Sequence, residues 1–363
     1  MRADIHSLTF PQGFHLGARG VGTESVRPTV PSDTLFSALL ATWARMGRDP
    51  KAWAEAFPRT AGGQAAEGDP PFLLSSAFPY VAGIQFYPKP VGYRPLNVSA
   101  EDAKAWKKVQ FISETLFTRI RRQGTRAEVW PASEGAQRDQ LIQRGALLVS
   151  AEEADLIRDN VRTEGAWREE DVPRVALDRV TSASNLFSVG RVSFSPGCGL
   201  WFAVEWHDPE RDCDGIPFKE AFHLTLSELS VSGLGGDRSV GYGTFTAALV
   251  DSAVNWEEVR EGESMVLLSR YHPRPDELPH ALTEAEGYQL EFLTGWGASP
   301  AGNFRRRGLW LLSEGSLIRH RGGAAMGDLV DLAPAGEGNP GHPVWRYGLA
   351  WGLPMEVRRV QAD

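Results

Sequence analysis

Residues 217–250 read PFKEAFHLTLSELSVSGLGGDRSVGYGTFTAALV, and the way this stretch divides decides the fold. The part through Ser232 reads as a helix, although the alternation in HLTLSELSV also suits a strand. TFTAALV, at the far end, reads as a strand. Between them, Gly233 to Gly243 holds five glycines in eleven positions around one arginine, Arg238. Upstream, LWFAVEWHD at 200–208 is another strand, so the order here is strand, helix, glycine loop, strand.

The start of the chain repeats that order. IHSLTF is a short strand, GFHLGARGVGTESVRPTVP a Gly/Pro loop and SDTLFSALLATWARMG a helix. Ser32 is expected as its N-cap, with Asp33 favouring the first turn and Gly47 ending it. Leu35, Phe36, Leu39, Leu40 and Trp43 form its apolar face. PFLLSSAFPYV then reads as a buried strand broken at Pro79, followed by the turn YPKPVGY. Two strand–helix–strand units make the split β-α-β pattern of ferredoxin-like and RRM domains.

Residues from about 95 to 190 read as an insertion projecting from that core. It opens with a helix that has Ser99 and Asp102 in capping-box positions and Trp106, Val109, Ile112, Leu116 and Ile120 on one side. Beyond DSAVNWEEVREGES a similar order recurs: MVLLSRYHP as strand, PDELPHALTEAEG as helix, then YQLEFLTGW and RRRGLWLLSEGSLI as strands. A second glycine-bearing turn, RHRGGAAMGDLVDL, leads to a last strand, HPVWRYGLAWGLPMEV. The expected architecture is α+β, with two ferredoxin-like (RRM-like) domains and a thumb-like insertion in the first. They span residues 1–250, with the insertion at about 95–190, and 258–363.

The glycine stretch is neither a P-loop, having no lysine, nor a dinucleotide fingerprint, since it runs from helix to strand. Two readings stay open. Unshielded amides form anion-binding concavities, to which Arg238 adds a fork-shaped donor. Alternatively, the glycines only allow positive φ and close packing.

With 363 residues, 42% hydrophobic, the chain is long enough for two cores. No apolar run reaches the length of a membrane span, and MRADIHSLTF has no signal-peptide h-region, so a cytoplasmic protein is expected. Two cysteines, Cys198 and Cys213, are too few for a disulfide framework. The net charge of −8 excludes a general nucleic-acid coat but is unevenly distributed. Residues 104–126 carry seven Lys or Arg and one acid, 302–321 five Arg and one Glu, and 151–171 eight acids and three Arg. A basic binding face and acidic faces elsewhere follow from that polarity. Of 38 basic residues 32 are arginine, which suits bidentate phosphate recognition and equally reflects a GC-rich genome. His207 with Asp208, Asp212 and the two cysteines lacks zinc spacing, and no Ser-His-Asp pattern is visible. Trp345, Tyr347 and Trp351 alternate on one face, as core or as subunit interface.

Five stretches carry a family resemblance: PSDTLFSALL at 31–40, FYPKP at 86–90, ALDRVTSASNLFSVGRVSF at 176–194, GLGGDRSVGYGTF and HPVWRYGLAW. In this order they resemble the CRISPR RAMP superfamily, and within it the family of subunit four of the type III-A Csm effector complex. The resemblance covers nearly the whole chain. It implies a non-catalytic subunit, without metal or cofactor, that holds the repeat-derived 5′ tag of the crRNA. It further implies docking against the large polymerase-like subunit and a backbone subunit, away from membranes. By position, Gly235, Gly236, Arg238, Ser239, Gly241 and Gly243 would hold RNA in the loop. Arg174, Arg179, Ser182, Ser184, Asn185 and Arg191 of the thumb would lie along the same tag. Lys89, between two prolines, is a rigidly presented cation and a further candidate. Related RAMP endonucleases cut RNA with a histidine, so a metal-independent crRNA-processing endoribonuclease using His15, beside Arg19, is the alternative.

Overall fold

The computed structural model describes residues 2–17, 25–61, 64–66, 68–177, 184–299, 302–322, 325–336 and 338–357. Its secondary structure is mixed α+β, with many short strands and few helices. The central sheet holds nine strands. Its first four are, in spatial order, β6 (Thr246–Asn255), β1 (Arg2–Thr9), β5 (Cys198–Trp206) and β2 (Phe78–Val81), each antiparallel to its neighbours. Ile84–Pro88, Phe111–Ser113, Leu147–Leu148 and Leu141–Ile142 extend it, and Phe72–Leu74 pairs with β5.

Two helices pack against each other beside this sheet: α1 (Ser32–Arg45) and α2 (Phe218–Ser232). The helix reading of HLTLSELSV holds because Phe218, Ala221, Phe222, Thr225, Leu226 and Leu229 are the buried positions, a 3.6-residue period that alternation cannot meet. Phe222 meets Phe72 and Trp206 edge-on, and His6 of β1 stacks on Phe202 of β5 at 5.0 Å. In α1 the cap is Pro31, not Ser32. Ser32 is the first helical residue, its amide donating to Ser76 Oγ and its own Oγ accepting from the Arg270 amide.

Several local expectations are revised. The strand at 71–81 breaks at Ser75–Ala77, while Pro79 sits inside β2. The helix expected near 99–120 is two helices, Ala103–Lys108 and Glu114–Gln123, with the strand Phe111–Ser113 between them. Trp106, Val109, Ile112, Leu116 and Ile120 are buried all the same, because both helices and the strand face one core. Most of the segment from 95 to 165 thus builds onto the central sheet. Only β3 (Trp167–Leu177) and β4 (Ser184–Phe194) form a separate, eleven-pair antiparallel hairpin. The closing strand is also two, Trp345–Tyr347 and β13 (Gly352–Pro354), in different sheets. Tyr347 and Trp351 are buried, and the Tyr347 hydroxyl accepts from the Leu74 amide, so core packing explains them.

In the C-terminal part, β7 (Ser264–Leu267) lies between β12 (Leu317–Arg319) and β13, and Gly287 bridges to Leu317 beyond β12. One helix, α3 (Leu278–Thr283), follows β7. β8 (Leu290–Leu293) pairs with β11 (Leu309–Leu312), and β9 (Trp296–Ser299) with β10 (Gly302–Arg305). The two parts are tied through a buried ion cluster. Arg270 and Asp33, each 1% exposed, pair at 3.2 Å, and Arg270 also pairs with Glu291 and, at 3.5 Å, Glu314. Burial alone would lower the Arg270 guanidinium's proton affinity, but Asp33, Glu314 and Glu291 together raise it.

Candidate nucleic-acid interface

The glycine loop is built by its own backbone. Gly233, at φ +84°, ends α2, and its amide donates to Leu229 O. The Leu234 amide donates to Gly243 O, closing the loop, and the Gly243 amide donates to Gly13 O. The Gly236 amide donates to His15 O at 2.8 Å. Gly235 and Gly243 have φ of +93° and +80°. A Cβ on Gly235 would fall inside the van der Waals shell of His15 O, and one on Gly243 inside that of Leu234 O. On Gly236 it would lie 2.7 Å from the His15 ring. The first use of this bare backbone is therefore close packing against residues 13–15 and against itself. Part of the anion concavity is filled, because the amides of Gly236, Val240, Gly241 and Gly243 already donate to protein carbonyls. Gly241, at φ +89°, differs: a Cβ there would meet nothing within 4 Å.

The same Phe14–His15 segment holds the root of the hairpin. Phe14 and Val192 exchange backbone hydrogen bonds at 2.9 Å, and His15 Nδ1 lies 2.7 Å from Gly190 O. A carbonyl only accepts, so that nitrogen carries the proton. Strand alternation puts Glu170 and Arg174 of β3 on one face with Arg191 of β4, since Glu170 lies opposite Arg191. Both guanidinium groups cover Tyr242 of the glycine loop, Arg174 at 5.2 Å and Arg191 at 5.5 Å from the ring centroid. Glu170 accepts from Arg191 at 2.6 Å and fixes it. Arg238 and Ser239 stand exposed at the loop tip. Among the described residues no carboxylate or other acceptor takes the Arg238 guanidinium, whose stem lies against Gly233. Arg45 at the end of α1 is close enough that burial and repulsion from Arg238 lower its proton affinity, Glu228 opposing.

Thus Arg174, Arg191 and the six loop residues Gly235, Gly236, Arg238, Ser239, Gly241 and Gly243 come together. Ser184 is exposed further along the hairpin, and Asn185 keeps its backbone register opposite Ala176. Arg179, Ser182 and Arg19 lie outside the described residues. Lys89 does not join the cluster. Its ammonium donates to Trp106 O at 2.8 Å and covers the Trp106 ring, and burial lowers its pKa to about 8. The reading of Lys89 as a presented cation is corrected: the side chain is half-buried, with its ammonium turned onto Trp106. Tyr242, Arg45 and Glu170 were missed by sequence reasoning; Tyr242 sits inside the glycine stretch, and its aromatic ring was the available signal. Beside His15, Gly235 and Gly236 opens a cleft of about 530 Å³, also lined by Arg27, Arg270, Arg306, Arg307 and Arg346 against Asp33 and Glu291. Among the described residues no group of three or more His, Cys, Asp or Glu is placed to hold a metal, and no helix is long and apolar enough to cross a membrane.

The glycine loop of this α+β chain closes on the root of a hairpin, and the known proteins similar to the chain share one description. Residues 260–355 match the family model of the CRISPR Csm4 C-terminal domain. A Mycobacterium tuberculosis protein, "CRISPR system Cms protein Csm4", is 24% identical over 340 residues, covering 92% of this chain and 91% of its own length. The Streptococcus thermophilus protein of the same description is 24% identical over 349 residues, covering 92% and 93%. In fold, the chain is similar to a crystal structure of the "Csm3-Csm4 subcomplex in the type III-A CRISPR-Cas interference complex", with TM-score 0.53, 16% identity and coverage of 95% and 99%. It is similar also to a crystal structure of the "Csm1-Csm4 cassette in complex with cA3", with TM-score 0.50, 16% identity and coverage of 99% and 100%. Residues 260–355 thus match the Csm4 C-terminal domain, and over nearly its whole length the chain is similar to Csm4 proteins.

Proposed function

We propose that this chain is a non-catalytic RNA-binding subunit of a type III-A Csm complex, acting in the cytoplasm, that holds the 5′ repeat-derived tag of the crRNA. The observation that carries this is the convergence of Arg174 and Arg191 on Tyr242, beside the unpaired and exposed Arg238. Two arginines fixed on a ring and one left free suit a phosphate chain with an unstacked base alongside. With the Gly236, Gly241 and Gly243 amides engaged, recognition rests largely on the arginine side chains. The similar crystal structures contain Csm4 with Csm3 and with Csm1, which supports docking of this chain against a backbone subunit and the large polymerase-like subunit.

Two ferredoxin-like domains, residues 1–250 and 258–363, with the 95–190 segment as a thumb-bearing insertion, are the architecture we infer. The order β6-β1-β5-β2 is the 4-1-3-2 order of that fold. Around β7, the order β13-β7-β12 followed by the Gly287 bridge supports the same arrangement in the second domain.

The test is titration of the full chain with 5′-tag RNA and a scrambled RNA at two salt concentrations. Binding that prefers the tag, weakens several-fold in Arg238→Ala and loses part of its salt slope is expected, with RNA recovered intact. Equal binding of both RNAs overturns tag recognition. RNA cut by the parent and left whole by His15→Ala would establish the endoribonuclease alternative.

A further inference from the structure

The outward face of the β8–β11 pair is apolar, the inverse of what a solvated sheet face carries. In its antiparallel register Phe292 lies opposite Trp310, while Leu290 lies opposite Leu312, which is buried at the end of the pair. The Phe292 and Trp310 rings are 4.9 Å apart between centroids, tilted by 44°. They are 49% and 57% exposed, and Tyr288 and Leu290 beside them are exposed too. The alternate positions turn inward: Leu311 is buried, and Glu291 is bound by Arg27 and Arg270. Gly308 is bare where a Cβ would press on the tip of the Phe292 ring.

The surroundings are cationic. Trp296, 68% exposed, lies opposite Arg305 across β9–β10. Arg305 and Arg307 are exposed, although Arg307 gives one nitrogen to Asp331 O. The nearby carboxylates are spent inside the protein, Glu291 as above and Glu314 on Ser76 and Arg270. Phe292, Trp296, Arg306 and Arg307 also line the cleft that His15, Gly235 and Gly236 border. The aromatic face and the glycine loop therefore meet at one cleft.

We infer that this face is a stacking surface for single-stranded RNA, continuing the RNA path from the glycine loop across the cleft. The inference rests on the RNA-holding function proposed above. Exposed rings offer sequence-tolerant stacking to unpaired bases, and arginines along the rim take phosphates. A protein partner would need acidic groups to match the same rim, but an RNA chain brings its negative charge in every nucleotide.

The experiment uses the full chain with unstructured oligouridine RNAs of increasing length carrying 4-thiouridine. The parent, Phe292→Ala with Trp310→Ala, Trp310→Phe, and Arg238→Ala are compared by fluorescence anisotropy and by mapping photo-crosslinks. Because the rings are exposed, unfolding midpoints of the double variant should match the parent. The expected result is about tenfold weaker binding of the longer RNAs by the double variant, near-parent binding by Trp310→Phe, and crosslinks within residues 288–310. Parent-like affinity of the double variant at every length overturns the inference, as does the absence of crosslinks in that segment. If Arg238→Ala alone weakens binding, the aromatic face fails and the loop reading survives. If only the double variant weakens it, the loop reading fails and the aromatic face stands. No RNA binding by the parent overturns both.

Discussion

Gly241 and Gly243 are two residues apart, have nearly equal positive φ, and should respond very differently to a methyl group. Gly241→Ala adds only the cost of a left-handed backbone for an L-residue, about 1–2 kcal/mol, since nothing lies within 4 Å of the new atom. Gly243→Ala incurs the same cost and also drives its Cβ into the Leu234 carbonyl. Relief requires opening the loop, which gives up the Leu234 N–H to Gly243 O bond and the Gly243 N–H to Gly13 O bond. At about 1 kcal/mol each, those losses bring the total to roughly 3–4 kcal/mol. The assay is native-state amide exchange at Leu234 and Gly236, with urea midpoints alongside. Leu234 should lose protection by about two to three orders of magnitude in Gly243→Ala and keep it within about thirtyfold in Gly241→Ala. Equal behaviour of the two variants would refute the claim that close backbone approach, and not conformational freedom alone, requires these glycines.

Arg270→Met leaves Asp33 with Arg346, at 3.3 Å, as its remaining cationic partner and takes the guanidinium away from Glu314 and Glu291, and should destabilise the fold by about 3 kcal/mol, measured as a fall in the urea midpoint. Adding Asp33→Asn should recover part of that loss; no recovery would mean that the ion pair itself is not the cause. His6 is 2% exposed, and burial first, then repulsion from His223, lowers its pKa to about 4, Asp4 opposing. A folded pKa below the unfolded value near 6.5 means that the unfolded chain binds more protons. Stability is then full above pH 6.5 and declines as pH falls toward 4, by roughly 3 kcal/mol. His6→Phe, which keeps a ring against Phe202, should flatten that acid limb in urea midpoints measured from pH 7 to pH 4; an unchanged slope refutes the assignment. Lys89→Met should leave RNA affinity within about twofold of the parent, because the ammonium is turned to Trp106; a large loss would return Lys89 to the RNA path.

The helices α1 and α2 were legible because each buries a run of large apolar residues at helical spacing. β1, β5 and β6 were legible for a related reason: short apolar runs between turn residues have few other uses. The helix–strand–helix at 103–123 was not, because Val109 and Ile112 continue a helical stripe while the chain pairs Phe111–Ser113 with two strands distant in sequence. Lys89 misled for the same kind of reason. Its flanking prolines are local, and Trp106, which takes its ammonium, is not.

What the sequence alone determined is what depends on near neighbours: the helical faces, the turn at Gly47, and the glycine loop between helix and strand. The reason for the glycines needed the tertiary structure, since residues 13–15 are more than two hundred positions away from the loop they press against. So did the role of Tyr242, an ordinary tyrosine until β3 and β4 bring Arg174 and Arg191 over its ring. The buried Arg270–Asp33 pair was equally out of reach, because 237 residues of chain separate two charges that only folding desolvates together.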